Sequence, residues 1–235
     1  MKDTHDVVFL FDVDNTLLDN DCVQSDLSSR LELEFGPEGR ARYWEIYETL
    51  RAELGYADYL GALQRFRAHD DGDSRLPRIS SFLLDYPFEN RLYPGSLAGL
   101  AHLGRLGPCV ILSDGDVVFQ PHKIQRAGLW RAVDGRVLIY IHKEKALDDI
   151  EQHFPARHYV MIDDKVRVLT AMKQVWGARL TTVLPRQGHY ALDPKNVAGY
   201  PAADVTIERI GDLVDYDLPA LRAAAGAAVA CKEVP

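Results

Sequence analysis

The sequence contains little cysteine, with three residues in 235. Cys22, Cys109 and Cys231 lie far apart and form neither a C-x-x-C pair nor a spacing suited to a metal ion. These spacings argue against a disulfide framework and a cysteine-based metal centre. Isolated thiols of this kind are typical of a reducing compartment.

Long hydrophobic runs are also missing. The apolar run at residues 7–11 is too short for a signal peptide, and the run at residues 223–230 is interrupted by Gly226. We expect the second run to form a docked terminal helix rather than a membrane segment. We therefore expect a cytoplasmic protein that has no membrane partner.

The chain also lacks an excess of basic residues. The chain has 27 lysines and arginines against 35 aspartates and glutamates, a net charge of −8, and no run of basic residues. Such a chain repels nucleic acid and anionic membrane surfaces, so neither is an expected partner. A small anionic substrate would have to be met by a metal ion or by a few focused basic groups.

Short apolar runs alternate with helical spacing along most of the chain. Each run ends abruptly in polar residues, which is typical of strands buried on both faces of a parallel sheet. The predicted strands are residues 7–11, 109–112, 137–141, 159–162, 180–184 and 205–207. The alternation predicts an α/β fold in which helices cover both faces of a doubly wound parallel sheet.

Residues 18–91 depart from this alternation. Their apolar residues recur only at helical spacing, with loops predicted at Gly36-Pro37, at Gly55 and at residues 70–73. We therefore predict an α/β core domain formed by residues 1–17 and 92–235, and a helical domain inserted into it at residues 18–91.

Polar groups stand where the predicted strands end, and in a parallel sheet this edge binds ligands. Each residue alone is typical of a turn or a helix cap, but four suitable strand ends indicate one site. These residues are Asp12 and Asp14 after the first strand, Ser113 after the second, Lys143 after the third, and Asp163 with Asp164 after the fourth.

The set is chemically suited to phosphoryl transfer. Asp12 and Asp163 can supply oxygen ligands to Mg²⁺. Of Asp12 and Asp14, one can be an ionised nucleophile while the like charge nearby keeps the other protonated as a general acid. Ser113 can donate to a phosphoryl oxygen, and Lys143 can neutralise developing charge.

These strand ends resemble the motifs of the haloacid dehalogenase (HAD) superfamily, and they occur in the same order. The helical insert also matches the superfamily's C1-type cap in position and helical character. The matching segments are D-V-D-N-T at 12–16 for the nucleophile motif, I-L-S-D-G at 111–115 for the second motif, His142-Lys143 for the lysine motif and M-I-D-D at 161–164 for the acidic motif.

The segment 120–130, which carries Gln120 and Lys123, further resembles the helix that follows the second motif in the capped phosphatases of this superfamily. The resemblance as a whole implies a Rossmann-like core with an inserted helical cap.

The resemblance also implies a covalent mechanism with Mg²⁺ as cofactor. Asp12 would attack phosphorus to form an aspartyl-phosphate, and Asp14 would protonate the leaving oxygen and then deprotonate the hydrolytic water. The metal would be held by the Asp12 carboxylate, the Asp14 backbone carbonyl and the acidic pair at 163–164. Ser113 and the amides of Asp114 and Gly115 would hold the phosphoryl group.

Two assignments stay open at this point. Lys143 lies nearest the strand end and is preferred over Lys145. Asp163 is preferred over Asp164 as the direct metal ligand, although Ile162 stands where many relatives have glycine and either carboxylate could contact the metal.

Magnesium-dependent hydrolysis of a small phosphorylated metabolite is the function that the resemblance implies. Dehalogenases of the superfamily lack the second aspartate because halide leaves without a proton, so Asp14 favours an oxygen leaving group. A phosphomutase would keep every motif and is the alternative; a non-catalytic binding protein is less favoured because all four polar sets are present. A receiver-type signalling domain has its lysine after its acidic residues, which is a different motif order.

Two further features have weaker interpretations. Residues 185–190 are expected to form an exposed loop rather than a wall of the cleft. One arginine of the insert could clamp an anionic substrate group bidentately, although pairing with surface acids explains these residues equally well. The candidates are Arg40, Arg42, Arg65 and Arg67.

Overall fold

A six-stranded sheet forms the centre of the protein. The computed structural model describes residues 4–67 and 73–230, with side chains up to residue 225. The strands are β1 (His5–Phe11), β2 (Cys109–Asp114), β3 (Val137–Tyr140), β4 (Ala156–Ile162), β5 (Leu180–Pro185) and β6 (Val205–Ile207). All pairs are parallel and the order is β3-β2-β1-β4-β5-β6, so every predicted strand is present and the predicted parallel sheet is confirmed.

Helices connect the strands. They are α1 (Asn20–Leu54), α2 (Tyr59–Arg67), α3 (Leu76–Leu84), α4 (Ser96–Leu103), α5 (Phe119–Arg126), α6 (Leu129–Ala132), α7 (Leu147–His153), α8 (Val166–Trp176), α9 (Gly188–Leu192), α10 (Pro194–Val197) and α11 (Leu218–Ala230). Of these, α8 and α11 pack on the sheet, whereas α2 and α3 pack on α1. Short 3₁₀ turns occur at Phe88–Arg91, Lys143–Lys145, Gly177–Arg179 and Ile210–Asp215.

The central strand β1 is apolar on both faces because helices cover both. Phe9 and Phe11 belong to one buried cluster, which includes Leu100 of α4. Val8 and Leu10 point the other way and belong to a second cluster. A strand buried in this way loses the polar–apolar alternation of a half-exposed strand, which is why its sequence is a continuous apolar run.

Helix α1 bends sharply at Gly36. The backbone there has φ 73° and ψ 177°, a conformation that only glycine adopts without strain, and Pro37 follows. The predicted loop at 36–37 is therefore a kink between two helical segments. Gly55, at φ 82°, ends the helix as a left-handed cap and donates its N–H to the Arg51 carbonyl.

The described residues between 18 and 91 form helices and a 3₁₀ turn, and their only β contacts are isolated bridges at Leu18. Leu18 bridges both Asp14 and Leu92, so the two ends of the insert meet there. Leu27 and Tyr43 of the insert are in the same apolar cluster as one face of the sheet. The division into two domains stays a prediction.

Three further expectations concern the termini and loops. No helix within 4–67 or 73–230 is long and apolar enough to cross a membrane. The run at 223–230 lies in α11, and Leu221 and Ala225 of that helix are buried, as expected of a docked terminal helix. Cys231 and residues 70–72 of the predicted loop lie outside the described residues.

One buried histidine makes the stability of this fold sensitive to pH. His158 on β4 is buried, and its Nε2 lies 2.8 Å from Thr181 Oγ1. Burial lowers its pKa to about 4, with smaller contributions from the charges of Arg222 and Lys173. In the unfolded chain a histidine titrates near pH 6.5. The contribution of neutral His158 is therefore complete above pH 6.5 and is lost as the pH falls toward 4.

We expect His158→Gln to flatten the acid branch of the stability profile. Between pH 7 and pH 4.5 the free energy of unfolding should fall by about 1–2 kcal/mol less in the variant than in the unmodified protein. Urea titrations at several pH values measure this difference. His153→Gln, at an exposed position on α7, is the matched control; equal slopes for all three proteins would contradict the assignment.

Candidate active site

The register of the sheet brings the predicted residues to one edge. Phe11 is paired with Ile111 on one side and with Ile162 on the other. The next residue of β1, Asp12, therefore lies beside Asp163, and its N–H donates to the Ile162 carbonyl at 3.0 Å. Two carboxylates from different parts of the chain are thus neighbours because their strands are paired.

Lys143 lies between these two carboxylates. Its Nζ is 2.5 Å from Asp12 Oδ1 and 2.7 Å from Asp163 Oδ2, and it donates to the Leu112 carbonyl at 3.2 Å. Burial lowers the pKa of Lys143, but the two carboxylates outweigh burial and leave the pKa well above its ordinary value. Lys145 is exposed, so the structure places Lys143 rather than Lys145 at the carboxylates.

Three buried carboxylates form a cluster. One carboxylate oxygen from each of Asp12, Asp163 and Asp164 lies within 4.8 Å of the others. Burial raises the pKa of Asp12, but Lys143 and then Lys165 outweigh it, so its pKa lies below the ordinary value. Burial raises the pKa of Asp163, and it raises that of Asp164 well above the ordinary range.

Several oxygens of this cluster have no hydrogen-bond donor. They are Asp12 Oδ2, Asp163 Oδ2 and both carboxylate oxygens of Asp164. Asp163 Oδ2 still has the charge of Lys143 at 2.7 Å, although the angle is poor for a hydrogen bond. Unpartnered buried oxygens are costly, and hard oxygen donors in a group are the set that Mg²⁺ prefers, so the residues fit such a cation.

The two members of the acidic pair have different surroundings. Asp163 Oδ1 accepts from the Lys165 backbone N–H at 2.8 Å, and Oδ2 faces Lys143. Asp164 is held only through its backbone, whose N–H donates to Thr16 Oγ1 at 3.0 Å. Asp164 therefore offers the less engaged oxygens, while the preference for Asp163 as the direct metal ligand stays a prediction.

Asp14 lies outside the carboxylate cluster and faces α5. Lys123 Nζ is 2.5 Å from Asp14 Oδ1, and Gln120 Nε2 donates to Asp14 Oδ2 at 3.1 Å and to Ser113 Oγ at 2.9 Å. The sequence argument considered only the like charge of Asp12. The structure differs in placing the buried ammonium of Lys123 against Asp14, so the charge that contacts Asp14 is positive.

Helix α5 is positioned by its first turn. Asp116 accepts from the N–H groups of Val118 and Phe119 at 2.9 and 2.6 Å. Gln120 and Lys123 are three apart and share one face of the helix. A Cβ atom at Gly115 would lie 3.0 Å from Gln120 Cβ, so glycine permits this close approach.

One predicted phosphoryl ligand is otherwise engaged. The Gly115 N–H donates to the Tyr140 carbonyl at 3.0 Å because the pairing of β2 with β3 continues to the end of both strands. In this arrangement the amide already has a backbone partner, and its expected role in holding a phosphoryl group stays a prediction. The Asp114 carboxylate, whose pKa is raised by burial, accepts from the Lys143 N–H at 2.8 Å.

Residues that the sequence argument left aside complete the site. Lys165 lies near Asp164, and its Nζ is 5.0 Å from the ring centroid of Tyr190. His189 Nδ1 is 2.6 Å from Asp21 Oδ1. Residues 185–190 were expected to form an exposed loop, but His189 and Tyr190 line the cleft over the site. The sequence feature that indicates this placement is their position shortly after a predicted strand, at the edge of the sheet where ligands bind.

The cleft has a volume of about 340 Å³. Its insert wall includes Asn20, Gln24, Tyr47 and Arg51, all from α1, and its floor includes Asp14. None of the four arginines named from the sequence lines it. Arg40 and Arg65 pair with acids at 2.6 Å, Arg42 donates to the Phe66 carbonyl, and Arg67 borders a separate cavity beside α3.

Solved structures resemble this chain over most of its length. A protein from Burkholderia xenovorans described as a haloacid dehalogenase-like hydrolase is 66% identical, with a TM-score of 0.87, and the match covers 92% of this chain and 99% of that one. An L-2-haloacid dehalogenase from Xanthobacter autotrophicus is 21% identical, with a TM-score of 0.57 and coverages of 88% and 96%. A protein from Bacillus subtilis described as a HAD hydrolase, with magnesium bound, is 18% identical, with a TM-score of 0.59 and coverages of 90% and 98%.

The similarity to the Xanthobacter and Bacillus proteins, at 21% and 18% identity, shows only that they share the fold of this chain. No family model matches the chain, and no curated protein matches it.

The carboxylate cluster generates a prediction about stability. Three carboxylates face the ammonium groups of Lys143 and Lys165, so the cluster would have one negative charge in excess with all three ionised, and burial raises the pKa of Asp164 well above its ordinary range. Asp164→Asn removes that excess, and in EDTA we expect it to raise the free energy of unfolding by about 1–3 kcal/mol. Asp163→Asn, which weakens the Lys143 pair, should lower it. Urea titration of both variants in EDTA tests this, and destabilisation by Asp164→Asn would contradict it.

Proposed function

Since the chain belongs to the haloacid dehalogenase-like hydrolases, we propose that it is a magnesium-dependent phosphatase that hydrolyses a small phosphorylated metabolite. The observation that carries the proposal is the buried cluster of Asp12, Asp163 and Asp164, several of whose oxygens lack donors. A cation-binding site beside a carboxylate held by Lys143 is suited to phosphoryl transfer, because a phosphate group brings negative charge of its own.

The metal would be held by Asp12, by Asp164 and by the backbone carbonyl of Asp14. Asp163 has a positioning role, since it contacts Lys143 and accepts from the Lys165 N–H. When bound, Mg²⁺ supplies positive charge that neutralises phosphate oxygens.

Asp12 is the proposed nucleophile. Its lowered pKa keeps it ionised at neutral pH. An oxygen of Asp12 forms a bond to phosphorus while the bond from phosphorus to the substrate oxygen breaks, and the leaving oxygen takes a proton from Asp14. Asp14, now ionised, takes a proton from the water that attacks the aspartyl-phosphate. Phosphate is released, and Asp12 and protonated Asp14 are regenerated.

The chain's own residues hold the reacting groups in place. Gln120 and Lys123 orient the Asp14 carboxylate from α5. Ser113 Oγ accepts from Gln120 Nε2 at 2.9 Å, so its own hydrogen can be donated to a phosphoryl oxygen in place of the long 3.5 Å contact with the Asp114 carbonyl. Lys143 neutralises charge on the nucleophile as the new bond forms.

Carbon–halogen hydrolysis is the second candidate, because an L-2-haloacid dehalogenase shares the fold. Halide leaves without a proton, so that reaction has no use for the Asp14 carboxylate and its two α5 partners. Asp14 therefore favours the phosphatase. A phosphomutase would share this chemistry and differ in its product, which is an isomer of the substrate instead of free phosphate.

We expect Asp12→Asn to abolish hydrolysis of p-nitrophenyl phosphate in Mg²⁺, by about 10³-fold or more, because the nucleophile is lost. EDTA should abolish the activity of the unmodified protein, and added Mg²⁺ should restore it. Asp148→Asn, at an exposed position on α7, is the matched control and should keep full activity. Activity that survives both Asp12→Asn and EDTA would overturn the mechanism.

The leaving group separates the candidate reactions. Because an alkoxide needs a proton more than p-nitrophenolate does, Asp14→Asn should slow hydrolysis of an alkyl phosphate at least about tenfold more than that of p-nitrophenyl phosphate. Phosphate release from both esters measures the ratio. Chloride release from 2-chloropropionate that is insensitive to Asp14→Asn would identify a dehalogenase, and an isomerised sugar phosphate without free phosphate would identify a mutase.

A further inference from the structure

Arg51 is a cation that the helical insert presents to the cleft. It lies in the last turn of α1, four residues before the Gly55 cap, and it borders the cleft over the carboxylate cluster. A Cβ at Gly55 would lie 3.1 Å from His142 Nε2, so the end of α1 packs tightly on the residue that precedes Lys143. The arginine is thereby held at a fixed place relative to the site.

The partners of Arg51 leave its charge largely available. One guanidinium nitrogen donates to the neutral Tyr190 hydroxyl at 2.6 Å. The ion pair with Glu48 is 3.5 Å long, and the glutamate side chain is 62% exposed, so it neutralises little. A guanidinium has five N–H donors in a planar fork. Most of these donors can therefore face a ligand in the cleft.

Other arginines of the insert are committed elsewhere. Arg30, Arg40 and Arg65 each pair with a glutamate at 2.6 Å, and none of the three borders the cleft. Arg51 differs from them in both respects. Its carboxylate partner, Glu48, is more distant at 3.5 Å, and Arg51 faces the space where a substrate would lie.

Tyr190 lies between Arg51 and the floor of the cleft. Its hydroxyl contacts Arg51, while the face of its ring lies 5.0 Å from Lys165 Nζ, next to Asp164. One tyrosine ring therefore separates the Arg51 guanidinium from the ammonium at the floor. A phosphate at the floor and a second group at Arg51 could therefore belong to one ligand, and a cleft of about 340 Å³ suits a small molecule.

We propose that Arg51 determines substrate specificity by binding a second anionic group, a carboxylate or a second phosphate, on a small phosphorylated substrate. The proposal rests on the phosphatase function proposed above. The fork of the guanidinium matches the two oxygens of a carboxylate or phosphate, and bidentate pairs of this kind are stronger than single hydrogen bonds. Binding would replace the neutral Tyr190 hydroxyl by a charged partner.

The test compares non-hydrolysable ligands by isothermal titration calorimetry in Mg²⁺. We expect 3-phosphonopropionate to bind at least about tenfold more tightly than propylphosphonate, which has the same chain without the carboxylate. A third arm, propane-1,3-diphosphonate, shows whether a second phosphate is preferred to a carboxylate. Arg51→Met should abolish the preference, and Arg51→Lys should retain part of it.

Arg40→Met is the matched control, because Arg40 pairs with Glu32 away from the cleft, and it should keep the full preference. Equal affinities for all three ligands in the unmodified protein, a comparison that needs no variant, would overturn the proposal. A preference that persists in Arg51→Met would also overturn it. Both results leave phosphonate binding intact and so leave the phosphatase proposal standing, whereas failure of every phosphonate to bind would overturn both proposals.

Discussion

The candidate site depends on the contacts that the ammonium group of Lys143 makes. The register of β1 against β4 places Asp12 and Asp163 side by side, and two buried carboxylates at that distance repel each other. Lys143 offsets the repulsion by contacting both of them and the carbonyl of Leu112. One side chain from the turn after β3 thus joins the ends of β1, β2 and β4. The geometry of the candidate site is therefore a property of the sheet.

The hydrogen bonding of the same carboxylate cluster is incomplete. Asp164 adds a third carboxylate whose two oxygens have no donor, although burial there raises its pKa. A core selected for stability alone would not retain such a group, because an apolar or neutral side chain would cost less. The chain retains it at the edge of a parallel sheet where ligands bind, which is where local departures from stability are expected to serve function.

The sequence predicted all six strands and the edge that carries the site, because buried parallel strands have continuous apolar runs that end in polar residues. It could not separate Asp163 from Asp164, since neighbouring carboxylates differ only in which donors reach them. It also could not show that the Gly115 amide has a backbone partner, because this depends on how far β2 pairs with β3. Arg51 and Tyr190 meet across 139 positions, a contact that no local pattern encodes.

Helix α1 explains how the insert forms one wall of the cleft. Asn20 and Arg51 both border the cleft, yet they lie near opposite ends of a 35-residue helix. A straight helix of that length would be about 50 Å long, so its two ends could not face one small cavity. The kink at Gly36 turns the chain back, and it needs glycine because φ is +73° there. The wall that the insert contributes to the cleft therefore depends on a backbone conformation far from the buried carboxylates.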